Sequence, residues 1–171
     1  MIVLDIEASG TDYQKHSIVS IGALDFDNPL NQFYDECRVW DGAHIDKGAL
    51  EVNGFTEEEL YDQSKKTEAE IVRAFIGWTR ELSDWTLLGQ NPSFDRDFLR
   101  AACIRARIDF PFAHRTIDTH TLAYMHLLHP GVPPPFDAAS PVLYAATANA
   151  PRGSRVSCHS RATFSAVLPM W

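Results

Sequence analysis

The chain has 171 residues, 45% of them hydrophobic, and a formal net charge of −8. That is enough apolar material for one domain with its own core. The acidic balance argues against sequence-independent binding of duplex nucleic acid by charge alone. No run is long enough to cross a bilayer and no basic region precedes the first apolar segment, so a soluble, cytoplasmic protein with no membrane partner is expected. Cys37, Cys103 and Cys158 are far apart and form no Cys-x-x-Cys pair, which favours a reduced, intracellular setting over a disulfide framework or zinc knuckle.

Ile2 to Ile6 reads as a first, buried strand, Ser17 to Phe26 as a second, and Gln32 to Trp40 as a third with alternating character. Asp27-Asn28-Pro29 supplies a turn, and the short connections imply antiparallel pairing. Thr56-Glu57-Glu58-Glu59 and Thr67-Glu68-Ala69-Glu70 both have the form of a capping box, which predicts two helix starts. After the second box, Ile71, Phe75, Trp78 and Leu82 recur at helical spacing and form a core-facing stripe. Trp85 to Gly89 reads as a short strand and Phe94 to Arg107 as a long helix. Thr116 to Asp118 reads as a brief strand and Thr119 to Leu128 as a third helix. The order β-β-β-α-β-α-β-α predicts an α/β fold with a mixed sheet flanked by helices.

His129-Pro130-Gly131-Val132-Pro133-Pro134-Pro135 breaks this pattern, and the composition changes beyond it. Residues 1–137 hold 12 basic and 23 acidic side chains, whereas residues 138–171 hold three Arg and neither Asp nor Glu. The expected division is a domain over 1–137 and an atypical tail over 138–171, either disordered or the product of a frameshift or replaced ending.

Two acidic segments carry chemistry. In the first strand Asp5 and Glu7 are two residues apart, so they project from one face side by side. Adjacent carboxylates repel unless a cation lies between them, and hard oxygens of this kind suit Mg²⁺ or Mn²⁺. A strand with an incidental acidic end is the plainer alternative. The second segment is Gly89-Gln90-Asn91-Pro92-Ser93-Phe94-Asp95, a strand end, a turn and a helix start. There Asp95 occupies the first helical turn, favoured by the macrodipole whatever else it does. Phe94 and Phe98, four apart, pack as a pair, either as core or as a stacking surface for a base. Arg96, Arg100 and Arg107 lie near one helical face, as a solvated surface or as phosphate contacts.

Together the two segments resemble the DEDD family of 3′–5′ exonucleases. Leu4-Asp5-Ile6-Glu7-Ala8-Ser9-Gly10-Thr11 matches its first motif, Asp-x-Glu followed by a small residue and Gly. Asn91-Pro92-Ser93-Phe94-Asp95-Arg96-Asp97-Phe98-Leu99 matches its second, Asn-x-x-Phe-Asp-x-x-Phe-Leu. Asn53-Gly54-Phe55-Thr56 is similar to the family's His-Gly-Ile-Thr turn, with Asn in place of His. The resemblance implies a ribonuclease-H-like fold and a catalytic centre in which Asp5, Glu7 and Asp95 ligate two Mg²⁺ or Mn²⁺ ions. It implies contact with the 3′ end of single-stranded DNA or RNA through Ser9, Gly10, Thr11, Asn91, Phe94 and Phe98. Thr11 is a weak base wedge, so stacking has to come from elsewhere. Several relatives dimerise, which makes a homodimer a further expectation.

The family's third motif, a fourth Asp preceded in one branch by a general-base His five residues earlier, is not found. The last acidic residue is Asp137, and Val132 occupies the position five before it; Phe164 stands five residues after His159. His120, His126 and His129 come too early in the chain. The expected function is therefore metal-dependent 3′–5′ trimming of single strands, impaired by the missing motif. The alternative is an inactive, nucleic-acid-binding relative. A phosphatase using Asp5 as nucleophile is disfavoured, because Glu7 replaces the second Asp of such sites and the required downstream Lys is not evident.

Overall fold

A computed structural model of the chain describes residues 1–127. A six-stranded mixed sheet has the order β4-β3-β2-β1-β5-β6. Its strands are β1 (Ile2–Ala8), β2 (Ile18–Asp25), β3 (Gln32–Arg38), β4 (Lys66–Thr67), β5 (Leu87–Gly89) and β6 (Thr116–Asp118). β1, β2 and β3 form an antiparallel meander. β5 and β6 continue the sheet parallel to β1, and β4 runs parallel to β3 at the far edge. The helices are α1 (Lys47–Asn53), α2 (Glu57–Tyr61), α3 (Glu68–Thr79), α4 (Pro92–Ala106) and α5 (Thr119–Leu127). The expected α/β architecture is observed; the tail over 138–171 and the end of the last predicted helix lie outside the described residues.

Alternation along β1 splits its side chains between two environments. Ile2, Leu4, Ile6 and Ala8 join the main core with Ile71, Val72 and Phe75 of α3 and Phe98, Leu99 and Ala102 of α4. Val3, on the other face, packs with Leu24 and Leu88 in a smaller cluster. Asp5 and Glu7 share the face of Val3, beyond that cluster. Apolar burial thus anchors β1 while leaving its two carboxylates half-buried. Both predicted capping boxes form, with Thr56 opening α2 and Thr67 opening α3. Helix α3 ends at Thr79, and the expected stripe residue Leu82 is buried in the turn that follows. Arg107 is the C-cap of α4, with φ +55°, so it leaves the helical face it was expected to share with Arg96 and Arg100.

Two elements, α1 and β4, are additions to the sequence expectation. Helix α1 is seven residues long and lacks an apolar stripe; Asp46 caps its start and Gly54 closes it at φ +77°. The strand β4 has two residues and exists only through pairing with Cys37 and Arg38.

Between Glu7 and Ala8 the β1–β2 register shifts. Just past this break, Ile18 N–H donates to Glu68 Oε1 of α3 at 2.9 Å, and Ser17 Oγ donates to the same oxygen at 3.1 Å. Glu68 is 4% exposed, and Arg105 of α4 holds its two oxygens at 2.8 Å each. A buried carboxylate therefore serves the strand backbone where the ladder has slipped, and a guanidinium fork balances its charge. On the other side of β1, Gly89 closes β5. A Cβ there would sit 2.7 Å from the carbonyl oxygen of Leu4, so only glycine lets the strand end approach β1 this closely.

Replacing Glu68 by Ala leaves Arg105 and Ile18 N–H without their acceptor, and urea unfolding is expected to show a loss of about 3 kcal/mol or more. The double change Glu68→Ala with Arg105→Met should cost less than the sum of the single changes.

Candidate active site

β1 delivers Asp5 and Glu7, and the β5–α4 turn delivers Asp95. Pairing of β1 with β5 reaches only Ile2↔Leu87 and Val3↔Leu88, although β1 runs on to Ala8. Ile6 N–H lies beyond that short ladder, and it donates to Asp95 Oδ1 at 2.8 Å. Asp95, 4% exposed, thereby continues the sheet with a side chain and draws the first turn of α4 against β1.

The three carboxylates act on one another. Burial, and then the charge of Asp5, raise the Glu7 carboxyl to about 7. Burial, then Asp5, and more weakly Glu7, push Asp95 well above the usual carboxylate range against the hydrogen bond from Ile6. Among the described residues, no group of three His, Cys, Asp or Glu side chains is drawn together closely enough to enclose a metal ion. The donors nevertheless suit a hard divalent cation in kind. They are all carboxylate oxygens, and the repulsion that adds to burial in raising two of them is relieved by positive charge placed among them.

The neighbouring loops are fixed by hydrogen bonds. Ser9 Oγ donates to the carbonyl of His44 at 2.8 Å and accepts from Ser17 N–H at 2.9 Å. Gly10 packs under the His16 ring, where a Cβ would lie 2.2 Å from Cδ2. Asn53 Nδ2 donates to the carbonyl of Ala8 at 3.0 Å and ties α1 to the end of β1. Asn91 adopts φ +51°, and its N–H donates to Asp118 Oδ1 at 3.2 Å.

The residues expected to contact a substrate differ in exposure. Ser9 is fully buried with its hydroxyl committed, and Phe98 is fully buried in the core beneath Phe94, with ring centroids 4.7 Å apart. In this structure neither side chain offers a surface to a substrate. Thr11 and Asn91 are exposed, and Phe94 is half-buried. Arg96 pairs with Asp97 and donates to the carbonyl of His114, so its charge is already engaged.

Asp118 is a supporting residue that sequence reasoning passed over. Its carboxylate accepts from Asn91 N–H, His120 N–H and Thr121 Oγ1. Burial would raise its pKa, but these donors, led by Thr121, outweigh burial and hold it low. It caps α5 and fastens the turn before Asp95 to the end of β6. The signal was an Asp directly ahead of a predicted helix, an N-cap pattern.

A family model described as exonuclease, of the RNase T type, matches residues 2–133. The PolC-type DNA polymerase III of Thermotoga maritima is 31% identical over 124 residues, covering 71% of this chain and 8% of that protein. Ribonuclease T of Vibrio vulnificus is 28% identical over 139 residues, covering 71% of this chain and 63% of that enzyme. Among solved structures, the zinc-bound complex of E. coli exonuclease I with single-stranded DNA superposes with a TM-score of 0.72 at 20% identity. It covers 97% of this chain and 39% of that one. The chain thus spans less than two thirds of the length of each of these proteins, and the last likeness is one of fold.

Glu7 and Asp95 bind protons more tightly in the folded chain than in the unfolded one. Their contribution is therefore fully present below the unfolded carboxylate pKa and is lost as pH rises through the folded values, near 7 for Glu7. For Glu7 alone this is at most about 3 kcal/mol. Thermal unfolding of the metal-free protein should show Tm falling from pH 5 to pH 8, with millimolar Mg²⁺ or Mn²⁺ raising Tm more at pH 8 than at pH 5. Asp95→Asn, which keeps an acceptor for Ile6 N–H, should stabilise the metal-free protein at pH 8. By urea titration Asp95→Ala should be about 1–3 kcal/mol less stable than Asp95→Asn.

Proposed function

Because the chain belongs to the exonuclease family, we propose that it is a divalent-metal-dependent 3′–5′ exonuclease acting on the 3′ ends of single-stranded DNA or RNA. The observation that carries this is the tie from Ile6 N–H to Asp95 Oδ1, which sets the helix-borne carboxylate against the strand that bears Asp5 and Glu7. The solved neighbours include exonuclease I in complex with single-stranded oligonucleotides, which favours a single strand as substrate.

In this reading Asp5, Glu7 and Asp95 hold two Mg²⁺ or Mn²⁺ ions. When bound, such ions neutralise the scissile phosphate, acidify a water and stabilise the leaving oxygen. The protein's own part is positional. Asp95, fixed by Ile6 N–H, sets the distance between the helix-borne and strand-borne ligands. Glu7 has to lose its proton to act as a ligand, and a cation among the carboxylates favours that loss. Backbone groups of Ser9 and Gly10, held by the buried hydrogen bonds of Ser9 and the packing on His16, border the terminal nucleotide. Thr11, Asn91 and Phe94 supply the exposed side chains around it.

The sequence has no Asp or Glu after Asp137, so the family's fourth carboxylate has no candidate there. Loss of a positioned general base lowers the rate by about 10²–10⁴-fold, and slow trimming is the expected activity. The same observation favours a second reading, a binding module that holds single strands without cleaving them.

Incubation of a 5′-labelled single strand with the full chain in Mn²⁺ separates the two. Stepwise shortening from the 3′ end that Asp5→Ala and Asp95→Asn each abolish supports the exonuclease. Retention of an intact strand supports the binding module.

A further inference from the structure

The chain leaves Glu7 through the register slip, and side chains hold the segment beyond it. Asn53 Nδ2 takes the carbonyl of Ala8 at 3.0 Å. Ser9 N–H donates to the carbonyl of Ser17 at 2.9 Å, and Ser17 N–H returns to Ser9 Oγ at the same distance. Ile18 N–H, the next donor, ends on Glu68 Oε1. The backbone that follows Glu7 is thus tied through Ser17 and Ile18 to a buried carboxylate on α3.

Arg105 holds that carboxylate and the loop at once. Its Nε and Nη2 each lie 2.8 Å from an oxygen of Glu68, and its Nη1 donates to the carbonyl of Tyr13 at 3.1 Å. Its Cζ stands 5.3 Å from the centroid of the Trp40 ring, which steadies the plane of the fork. One guanidinium therefore fixes the β1–β2 loop at two points, at its end through Glu68 and in its middle directly. Between those points His16 covers Gly10. Stability alone does not call for this arrangement, since a well-packed apolar pair fills such a place at equal or lower cost. What an apolar pair lacks is direction: it neither accepts Ile18 N–H nor holds the carbonyl of Tyr13. A lysine ammonium, a single point charge, cannot reproduce the fork.

We propose that Arg105 is a positioning residue for strand binding: through Glu68 and the carbonyl of Tyr13 it sets the backbone of Ser9 and Gly10 where the terminal nucleotide docks, without touching substrate or metal. This rests on the exonuclease reading and deepens it. A loop fixed before the strand arrives lowers the ordering cost of binding. Asp5, Glu7 and Asp95 are held separately, by the β1 ladder and by the bond from Ile6 N–H. Loosening Arg105 therefore weakens the grip on the strand end and leaves the affinity for metal unchanged.

The test measures two affinities of the full chain. Mn²⁺ binding is read from the electron spin resonance of the free ion. Strand binding is read in saturating Mn²⁺ by fluorescence anisotropy of dT12 and rU12 protected at the 3′ end by phosphorothioates. Arg105→Lys, which keeps a cation beside Glu68, is expected to raise the strand Kd by about 10-fold, with the Mn²⁺ Kd unchanged. The pair Glu68→Gln with Arg105→Met keeps an acceptor for Ile18 N–H and removes both buried charges, so it preserves the fold. It still lacks the bond to Tyr13, and its strand Kd should rise as much. Amide hydrogen exchange over residues 9–17 should quicken in both variants. Trp78→Phe removes the bond from Trp78 Nε1 to Asn31 Oδ1 at the opposite end of β2 and should leave the strand Kd at the wild-type value. Wild-type strand affinity in Arg105→Lys and in the double variant overturns the positioning role and leaves the exonuclease reading standing. A parallel rise of strand and Mn²⁺ Kd, or an equal loss of strand affinity in Trp78→Phe, reduces Arg105 to a support of the fold and also overturns it. A wild type that binds neither strand in Mn²⁺ overturns the exonuclease reading and the proposal with it.

Discussion

One hydrogen bond, from Ile6 N–H to Asp95 Oδ1, makes the carboxylate site a single object. The central strand outruns its parallel neighbour, and the backbone donor exposed by that mismatch has to be satisfied inside the protein. A side chain from the next helix does so, and it brings a third negative charge to a strand that already carries two. Burial first, and then the charge of Asp5, make Glu7 and Asp95 hold their protons more tightly than exposed carboxylates do. Stability spent in this way is common where a site is built for a ligand of opposite sign.

The opposite flank of the strand solves a related problem. Where the β1–β2 register slips after Glu7, Glu68 replaces the missing ladder acceptor and Arg105 neutralises it. The same arginine reaches the carbonyl of Tyr13, so the network that closes the slipped ladder also holds the loop beside the carboxylates. Asp95 and Glu68 are both buried acids accepting a strand N–H. Their surroundings separate them: Glu68 meets a guanidinium, whereas Asp95 meets two more carboxylates.

The sequence showed strands and helices wherever the pattern was strong. The alternation and burial of β1 to β3, the two capping boxes and the stripe through Ile71 and Phe75 all correspond to elements of the fold. Asp5, Glu7 and Asp95 stood out because each sits in a motif with a recognisable backbone context, and the fold ties the segments that carry them together through Ile6 N–H and Asp95. What escaped was what depends on partners distant in the chain. Helix α1 has no apolar period and is held by a cap at each end and by Asn53. The two residues of β4 become a strand only by pairing. Glu68 read as the first residue after a helix cap, and only the fold reveals that its carboxylate turns inward to β2. Ser9 and Phe98 belong to the same motifs, and only the fold reveals that their side chains are buried and engaged in packing and hydrogen bonds.

The closeness of Gly89 to Leu4 bears on how this architecture can change. The gap between Asp95 and the strand-borne Asp5 and Glu7 is set by an omitted atom, since the turn into α4 begins where β5 touches the carbonyl of Leu4. Any side chain at that point would act as a spacer, lifting Asp95 away from Asp5 and Glu7 without altering any of the three carboxylates. A designer seeking a wider spacing of the three carboxylates could reach it through that one backbone position. The three carboxylates would still be present in the sequence, so a motif search would go on reporting an intact site after its geometry had been lost.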